Sequence, residues 1–402
     1  MRTGRPTATV HPQPEDHRPL AKVGQPDHNA ADRGGQLAVS NATARKASRL
    51  RQDGNMILDN CGIPIVQAPL SGGPSTPELA AAVTNAGGLG FLASGYLSAA
   101  ELADRRGRVD KLTSGPFGVN VFVPGPGGDT ARVAEFAREI EADVAGTGAP
   151  LGQPRHDDDD WDAKIRYLAD VPVPVVSFTF GIPAEDVIAG LRARGTEVWV
   201  TVTSRDEARR ATAAGADLLV VQGYEAGGHR GGASDARDDA VGLIALLQLI
   251  SARAATPVVA AGGIATGEAV AAVLCLGARA AALGTAFLDC QEAATAPVHR
   301  SALHGDAPTR LTRAFSGRTA RGIENGFLRA HSESAPTAYP EVHHLTSPMR
   351  KAARQAGLAD YVNLWAGQAY PLTATAGAAD LVRDLWAQAQ AALGRLSAQM
   401  RP

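Results

Sequence analysis

The apolar run Leu218-Leu219-Val220-Val221 ends in Gln222 and opens into Gly223-Tyr224-Glu225-Ala226-Gly227-Gly228-His229-Arg230-Gly231-Gly232. This is the pattern of a buried strand emptying into a loop whose backbone can press close to a ligand. The loop delivers one histidine. An imidazole titrates at about 6.5 and can serve as base or proton donor at neutral pH. A loop histidine facing solvent is the bland alternative, and the glycines on both sides of His229 argue against it. Two more runs of the same form follow, one reaching Gly262-Gly263 and one reaching Leu283-Gly284-Thr285. Backbone N–H groups at such strand ends, beside a short helix start, form a natural phosphate cradle. The amide of Gln222 both donates and accepts, which suits a ring edge carrying carbonyls and an N–H. Together these segments read as the phosphate-and-ring site of a phosphorylated cofactor, with His229 placed over it.

Other strand ends carry weaker signals. In Gln67-Ala68-Pro69-Leu70-Ser71-Gly72-Gly73, small residues would let a flat ring lie against the backbone, or simply make a tight turn. Asn120 interrupts the apolar run 117–123, and a buried amide left unsatisfied costs about 1–3 kcal/mol. It is therefore either a hydrogen bond inside the fold or a ligand contact. Ser177-Phe178-Thr179-Phe180-Gly181 supplies another rim of hydroxyls and glycine. The remaining histidines show no zinc spacing, and the acidic run Asp157 to Asp160 reads as a solvated helix start before Trp161. No metal site is expected.

The elements that must position these residues alternate strictly. Strands are expected at 64–68, 89–92, 117–123, 173–178, 197–202, 218–222, 258–261 and 280–283. Helices are expected near 76–86, 98–111, 130–145, 183–194, 204–214, 241–253 and 267–276. Thr76, Ser98, Ser204 and Thr266 each stand just ahead of an acid, as capping residues do. Continuous apolar runs in alternation with helices predict parallel strands buried on both faces, hence an α/β fold of the (β/α)8 TIM barrel type. A doubly wound sheet is the rival, but it needs fewer strands and usually an early glycine fingerprint. Here the glycines cluster at strands six to eight.

The expected domains are a disordered leader over 1–55, the barrel over 56–318, a cap on its substrate side over 319–372, and a C-terminal segment 373–402. The leader is polar and aperiodic, too poor in apolar residues to offset its ordering entropy. Met56 reads as a natural start. The cap is expected to be built of short amphipathic pieces, and residues 378–396 to return as a helix to the barrel's outer ring.

The chain has 402 residues, 45% hydrophobic and 20% charged, with a net charge of −2. That is ordinary for a soluble enzyme and gives no electrostatic case for nucleic acid or an anionic membrane. No apolar run approaches the roughly 18 residues that span a bilayer. Cys61, Cys275 and Cys290 are odd in number and lack CxxC spacing, which fits a reducing cytoplasm. Homo-oligomerisation is left open.

Taken jointly, Gln67-Ala-Pro69, Gly118-Val-Asn120, Ser177-Phe-Thr-Phe-Gly181, Gln222 through His229, Ala261-Gly-Gly-Ile264, Leu283-Gly-Thr-Ala-Phe287, Ala314-Phe-Ser-Gly-Arg318 and Leu364-Trp-Ala-Gly-Gln368 make the chain, from about Met56 onward, resemble the nitronate monooxygenase (2-nitropropane dioxygenase) family, class I branch. The resemblance implies a barrel with a second lobe and non-covalent FMN. It implies that Gln67 and Ala68 lie near the flavin ring, that Asn120 and Gln222 hydrogen-bond the cofactor, and that Gly227, Gly262, Gly263, Leu283, Gly284 and Thr285 serve its ring or phosphate side. His229 matches the catalytic histidine, as imidazolium on the nitro oxygens or as base toward a neutral nitroalkane. Arg313, Arg318 and Arg321 either supply positive potential or are structural. The implied substrates are an alkyl nitronate or nitroalkane and O2, the products a carbonyl compound and nitrite. Leu70-Ser71 departs from the family's usual Met-Ala or Met-Gly, at the pocket wall. FMN-dependent NAD(P)H:quinone or enoyl-acyl-carrier-protein reductases share this loop and cradle and form the alternative, and a non-catalytic flavin- or phosphate-binding barrel is a third reading.

Overall fold

The computed structural model describes residues 55–235, 240–252 and 255–400. The leader expectation thus falls almost wholly outside the described residues. Among these, eight parallel strands form one sheet: β1 Ile65–Gln67, β2 Gly90–Ala93, β3 Phe117–Phe122, β4 Val175–Thr179, β5 Glu197–Val202, β6 Leu218–Gln222, β8 Val258–Ala261 and β9 Ala280–Leu283. The order runs β1-β9-β8-β6-β5-β4-β3-β2. The two ends meet where Val66 pairs with Leu89, and Gln67 N donates to the Leu89 carbonyl at 3.0 Å. The sheet is a closed (β/α)8 barrel.

Side chains alternate across its wall. Val66, Phe91, Val175, Trp199, Leu218 and Val259 fill the interior. Ile65, Val200, Leu219, Val258 and Ala281 face the helices. The bottom is closed by the 3-10 turn Ile57–Asn60, whose Ile57 N–H donates to the buried Glu197 carboxylate at 2.8 Å.

The helices that alternate with these strands are α1 Pro77–Asn85, α2 Ala99–Leu112, α3 Thr130–Ala145, α4 Trp161–Asp170, α5 Glu185–Ala193, α6 Arg205–Ala213, α7 Leu243–Ser251 and α8 Gly267–Cys275. Thr76, Ser98, Ser204 and Thr266 cap α1, α2, α6 and α8 by accepting backbone N–H groups. They are followed by α9 Thr285–Leu288, α10 Pro297–Leu303, α11 Gly326–His331, α12 Glu341–Ala356 and α13 Ala378–Gln399. Helix α13 packs against α8 and α1 through Ala378, Val382, Leu385 and Ala389.

A second cluster lies apart from the barrel. Val133, Phe136 and Ile140 of α3 pack with Phe315, Phe327, Leu345 and Met349. The α12 helix is longer than the short pieces expected in the cap. A small antiparallel sheet also forms from β7 Gly228–His229, β10 Thr309–Thr312 and β11 Ala320–Ile323. The acidic run is not simply solvated. Asp159 Oδ1 accepts the Tyr96 N–H at 2.7 Å, its Oδ2 lies 2.7 Å from Lys164 Nζ, and Asp157 accepts from His344 at 2.6 Å. No helix among the described residues is long and apolar enough to cross a membrane.

Candidate active site

A cavity of about 900 Å³ opens at the C-terminal ends of the strands, between barrel and lobe. Of the residues expected there, Ala68, Asn120, Gln222, Gly227, His229, Gly262, Gly263, Gly284 and Thr285 line it. Gln67 and Leu283 do not. The Gln67 amide is spent on the β1–β2 seam: Oε1 accepts the Phe91 N–H at 2.9 Å, and Nε2 donates to Ser75 Oγ at 3.0 Å and to the Ala68 carbonyl. Leu283 faces the helix layer, and its carbonyl accepts from Ala68 N at 2.8 Å.

Asn120 meets the first of the two expectations raised for it. Its Nδ2 donates to Ser177 Oγ at 3.0 Å and to Thr179 Oγ1 at 2.9 Å, inside the barrel. Its Oδ1 accepts no hydrogen bond among the described residues, and the side chain borders the cavity. The Gln222 amide is engaged with the protein itself. Nε2 donates to the His229 carbonyl at 3.1 Å and Oε1 accepts the Gly231 N–H at 2.8 Å. Gln222 therefore clamps the histidine segment from both sides.

His229 is not on a free loop. It pairs in register with Ala320, and Gly228 with Arg321. The two glycines before it serve different needs: a Cβ at Gly227 would overlap the backbone of Ala366 and Gly367, whereas Gly228 has open space around it and takes a positive φ (71°). Downstream, the buried Glu207 carboxylate accepts the Ala233 N–H at 2.7 Å. The three arginines are likewise bound into the scaffold. Arg313 pairs with Asp235 at 2.8 Å, Arg321 donates to the Tyr224 carbonyl at 3.0 Å, and Arg318 donates to the carbonyls of Arg230 and Gly232.

The imidazole sits among Phe180, Tyr339 and Trp365, with ring centroids 5.6, 5.9 and 5.5 Å away. Phe180 holds a left-handed backbone (φ 77°), with its N–H on the Gly231 carbonyl at 2.7 Å. Burial, helped by the Arg318 charge, pushes His229 down to about 3. Burial thus favours the neutral ring over the imidazolium form. His229 Nε2 lies 2.9 Å from Ser316 Oγ, which in turn can donate to the Arg318 carbonyl at 3.2 Å. Nδ1 makes no hydrogen bond among the described residues. When the single Ser316 proton goes to Arg318, Nε2 carries the ring proton and Nδ1 is a free base. When it goes to Nε2, Nδ1–H is a donor.

Opposite this cage, the wall is backbone. Gly262 and Gly263 take positive φ (110° and 69°) that other residues adopt only with strain. Gly284 precedes α9, whose first N–H groups have no intrahelical partner and no side-chain cap. Thr285 Oγ1 accepts the Gly367 N–H at 3.0 Å and so ties this end of the barrel to the lobe. Ser316, Tyr339 and Trp365 were given no role by sequence reasoning. Only Ser316 and Trp365 carried a signal, as members of the motifs 314–318 and 364–368.

Fold and site define a (β/α)8-barrel enzyme with a neutral, caged histidine facing a glycine-built wall. Residues 57–388 match the nitronate monooxygenase family. The chain is 40% identical over 342 residues to nitronate monooxygenase of Paraburkholderia phytofirmans, covering 80% of this chain and 91% of the relative. It is 40% identical over 343 residues to that of Pseudomonas aeruginosa, with coverages of 80% and 95%. Among solved structures, nitroalkane oxidase from Streptomyces ansochromogenes matches with a TM-score of 0.83 at 48% identity, covering 85% of this chain and 99% of that one. The chain belongs to the nitronate monooxygenase family and is an oxidoreductase.

Proposed function

We propose that the protein oxidises alkyl nitronates and nitroalkanes with O2 to a carbonyl compound and nitrite, using FMN held in this cavity. The observation that carries the reading is one cavity uniting a neutral histidine with a wall of glycine backbone and uncapped N–H groups. The residues fit the cofactor. Gly262, Gly263, Gly284 and Thr285 would hold the phosphate side by N–H groups at a helix start. Ala68, Asn120 and Gly227 would border the ring, with Asn120 Oδ1 available to accept from it. When bound, FMN supplies an electron sink for an electron-rich carbon.

The chain's own residues do the rest. In its Nδ1-free tautomer, His229 takes the α-proton of a neutral nitroalkane. In the other, Nδ1–H donates to a nitronate oxygen. Ser316 lets the ring hold either state. Gln222 and Arg318 fix the backbone from His229 to Gly232, and fixed geometry of this kind is where positioning gains its effect. Phe180, Tyr339 and Trp365 flank the ring, which stays partly open to the cavity.

The test is an anaerobic absorbance spectrum of the FMN-loaded protein before and after ethyl nitronate and, separately, NADH. Bleaching by nitronate alone, with nitronate-dependent O2 uptake in air, is expected. Bleaching by NADH alone would overturn the reading in favour of a reductase.

A further inference from the structure

The lobe side of the cavity has a charge pattern of its own. Among the described residues lining the cavity there is no aspartate or glutamate, whereas Arg350, Lys351 and Arg354 all line it from the single helix α12. Lys351 is exposed, and Arg354 donates to Asn363 Oδ1 at 3.2 Å. Arg350 differs from both. It is 5% exposed, and no carboxylate among the described residues pairs with it. Neutral groups hold its guanidinium from one side. Nε donates to Thr346 Oγ1 at 3.0 Å; Nη2 donates to the His343 carbonyl at 2.8 Å, to Ser347 Oγ at 3.1 Å and to His343 Nδ1 at 3.2 Å. Nη1 makes no hydrogen bond among the described residues. The His343 ring is fixed in turn by stacking on Tyr96, with centroids 4.0 Å apart and planes 6° from parallel. Tyr96 is held in a left-handed conformation (φ 69°) by the Asp159 carboxylate.

A buried cation without a counter-charge is unfavourable unless a ligand anion meets it. We propose that Arg350 is a specificity-determining residue that selects the anionic form of the substrate, receiving the negative charge shared by the two nitro oxygens of a nitronate. A planar guanidinium matches a planar two-oxygen anion as no ammonium does. Burial lowers Arg350 to about 10, so it remains cationic at neutral pH. The proposal rests on the function proposed above and divides the labour within it. His229 deals with the proton of the neutral nitroalkane, and Arg350 recognises the anion.

The experiment compares the FMN-loaded wild type with Arg350→Met and Arg350→Lys. It measures kcat/KM for ethyl nitronate and for nitroethane, and binding of nitrate, a planar anion, by perturbation of the bound flavin spectrum. Arg350→Met should lower kcat/KM for the nitronate roughly 10- to 100-fold, the scale of a lost charge-assisted hydrogen bond. Nitroethane, which binds neutral and becomes the anion only after His229 has taken its proton, should lose distinctly less kcat/KM than the nitronate does, and nitrate binding should weaken in parallel with the nitronate effect. Arg350→Lys should recover part of both losses. Equal losses on the two substrates, unchanged nitrate binding, or loss of FMN in both variants would overturn the assignment. If the wild type binds nitrate through Arg350 but does not turn over nitronate, the proposed function fails and the anion site stands.

Discussion

The two walls of the cavity are built by different means. The wall at the ends of β8 and β9 is built of glycine: Gly262, Gly263 and Gly284 line it at consecutive strand ends. The wall around His229 is made of side chains from distant segments: Phe180, Ser316, Tyr339 and Trp365. A backbone wall suits a ligand part that never changes, such as a phosphate. A side-chain wall can tune a proton and choose among substrates. Damage to the first should show as lost cofactor, and damage to the second as lost turnover with the cofactor retained.

The largest expected effect tests the second wall. His229→Ala should retain FMN but lose turnover on neutral nitroalkanes by roughly 10²–10⁴, the usual scale of general acid–base catalysis. Steady-state O2 uptake beside flavin content reads both; unchanged turnover would remove His229 from the reaction. The first wall is tested by a pair of variants. A Cβ at Gly284 would lie 3.4 Å from Leu70 Cδ2 and 3.7 Å from Ala68 Cβ, which is ordinary contact. Gly284→Ala should therefore bind FMN nearly as the wild type does, whereas Gly284→Asp should bind it at least about 10-fold more weakly by repelling the phosphate. Fluorescence titration with FMN measures both, and full flavin content in Gly284→Asp would show that the cradle lies elsewhere.

Ser316→Ala should cost less. Losing one neutral hydrogen bond is worth about 0.5–1.5 kcal/mol, so kcat/KM on nitroethane should fall up to roughly 10-fold. A fall confined to substrate binding, with kcat intact, would argue that Ser316 does not orient the ring. The last test is pH dependence, read first in stability rather than turnover. His229 is held at about 3, and burial lowers His299 to about 4, against about 6.5 in an unfolded chain. Between those values the unfolded chain binds protons that the native state does not. Stability should therefore fall as pH drops below about 6.5 and be level above it as far as these groups are concerned. Thermal melts across this range check the slope, which His229→Asn should reduce. The acid limb of kcat/KM set by His229 should lie near 3, and a limb at about 6.5 would show the ring to be solvated.

The eight barrel strands were legible because parallel strands covered on both faces must be continuous apolar runs. The glycine-built wall was legible for a related reason: a tight turn or close approach to backbone limits the residue type at that very position. Gln67 and Gln222 show where such reading stops. Their residue type announced a polar task, but not whether the amide would meet a ligand or the protein's own backbone. Gln67 joins β1 to β2, and Gln222 grips the His229 segment. Nor could the sequence reveal the pairing of Gly228–His229 with Ala320–Arg321, a two-residue strand with no period of its own.

The sequence by itself determined the alternation that closes the barrel, the place of its open end, and the delivery of His229 there; His299 and His343, which also line the cavity, were not foreseen. What it determined follows from local rules, since burial on both faces and turn geometry act on neighbouring residues. Only the tertiary structure decided that burial holds the pKa of His229 down, that Ser316 lies within hydrogen-bond reach of its ring, and that no carboxylate among the described residues pairs with Arg350 in the same cavity. Desolvation and charge depend on what lies nearby in space, and those neighbours come from parts of the chain that no spacing connects.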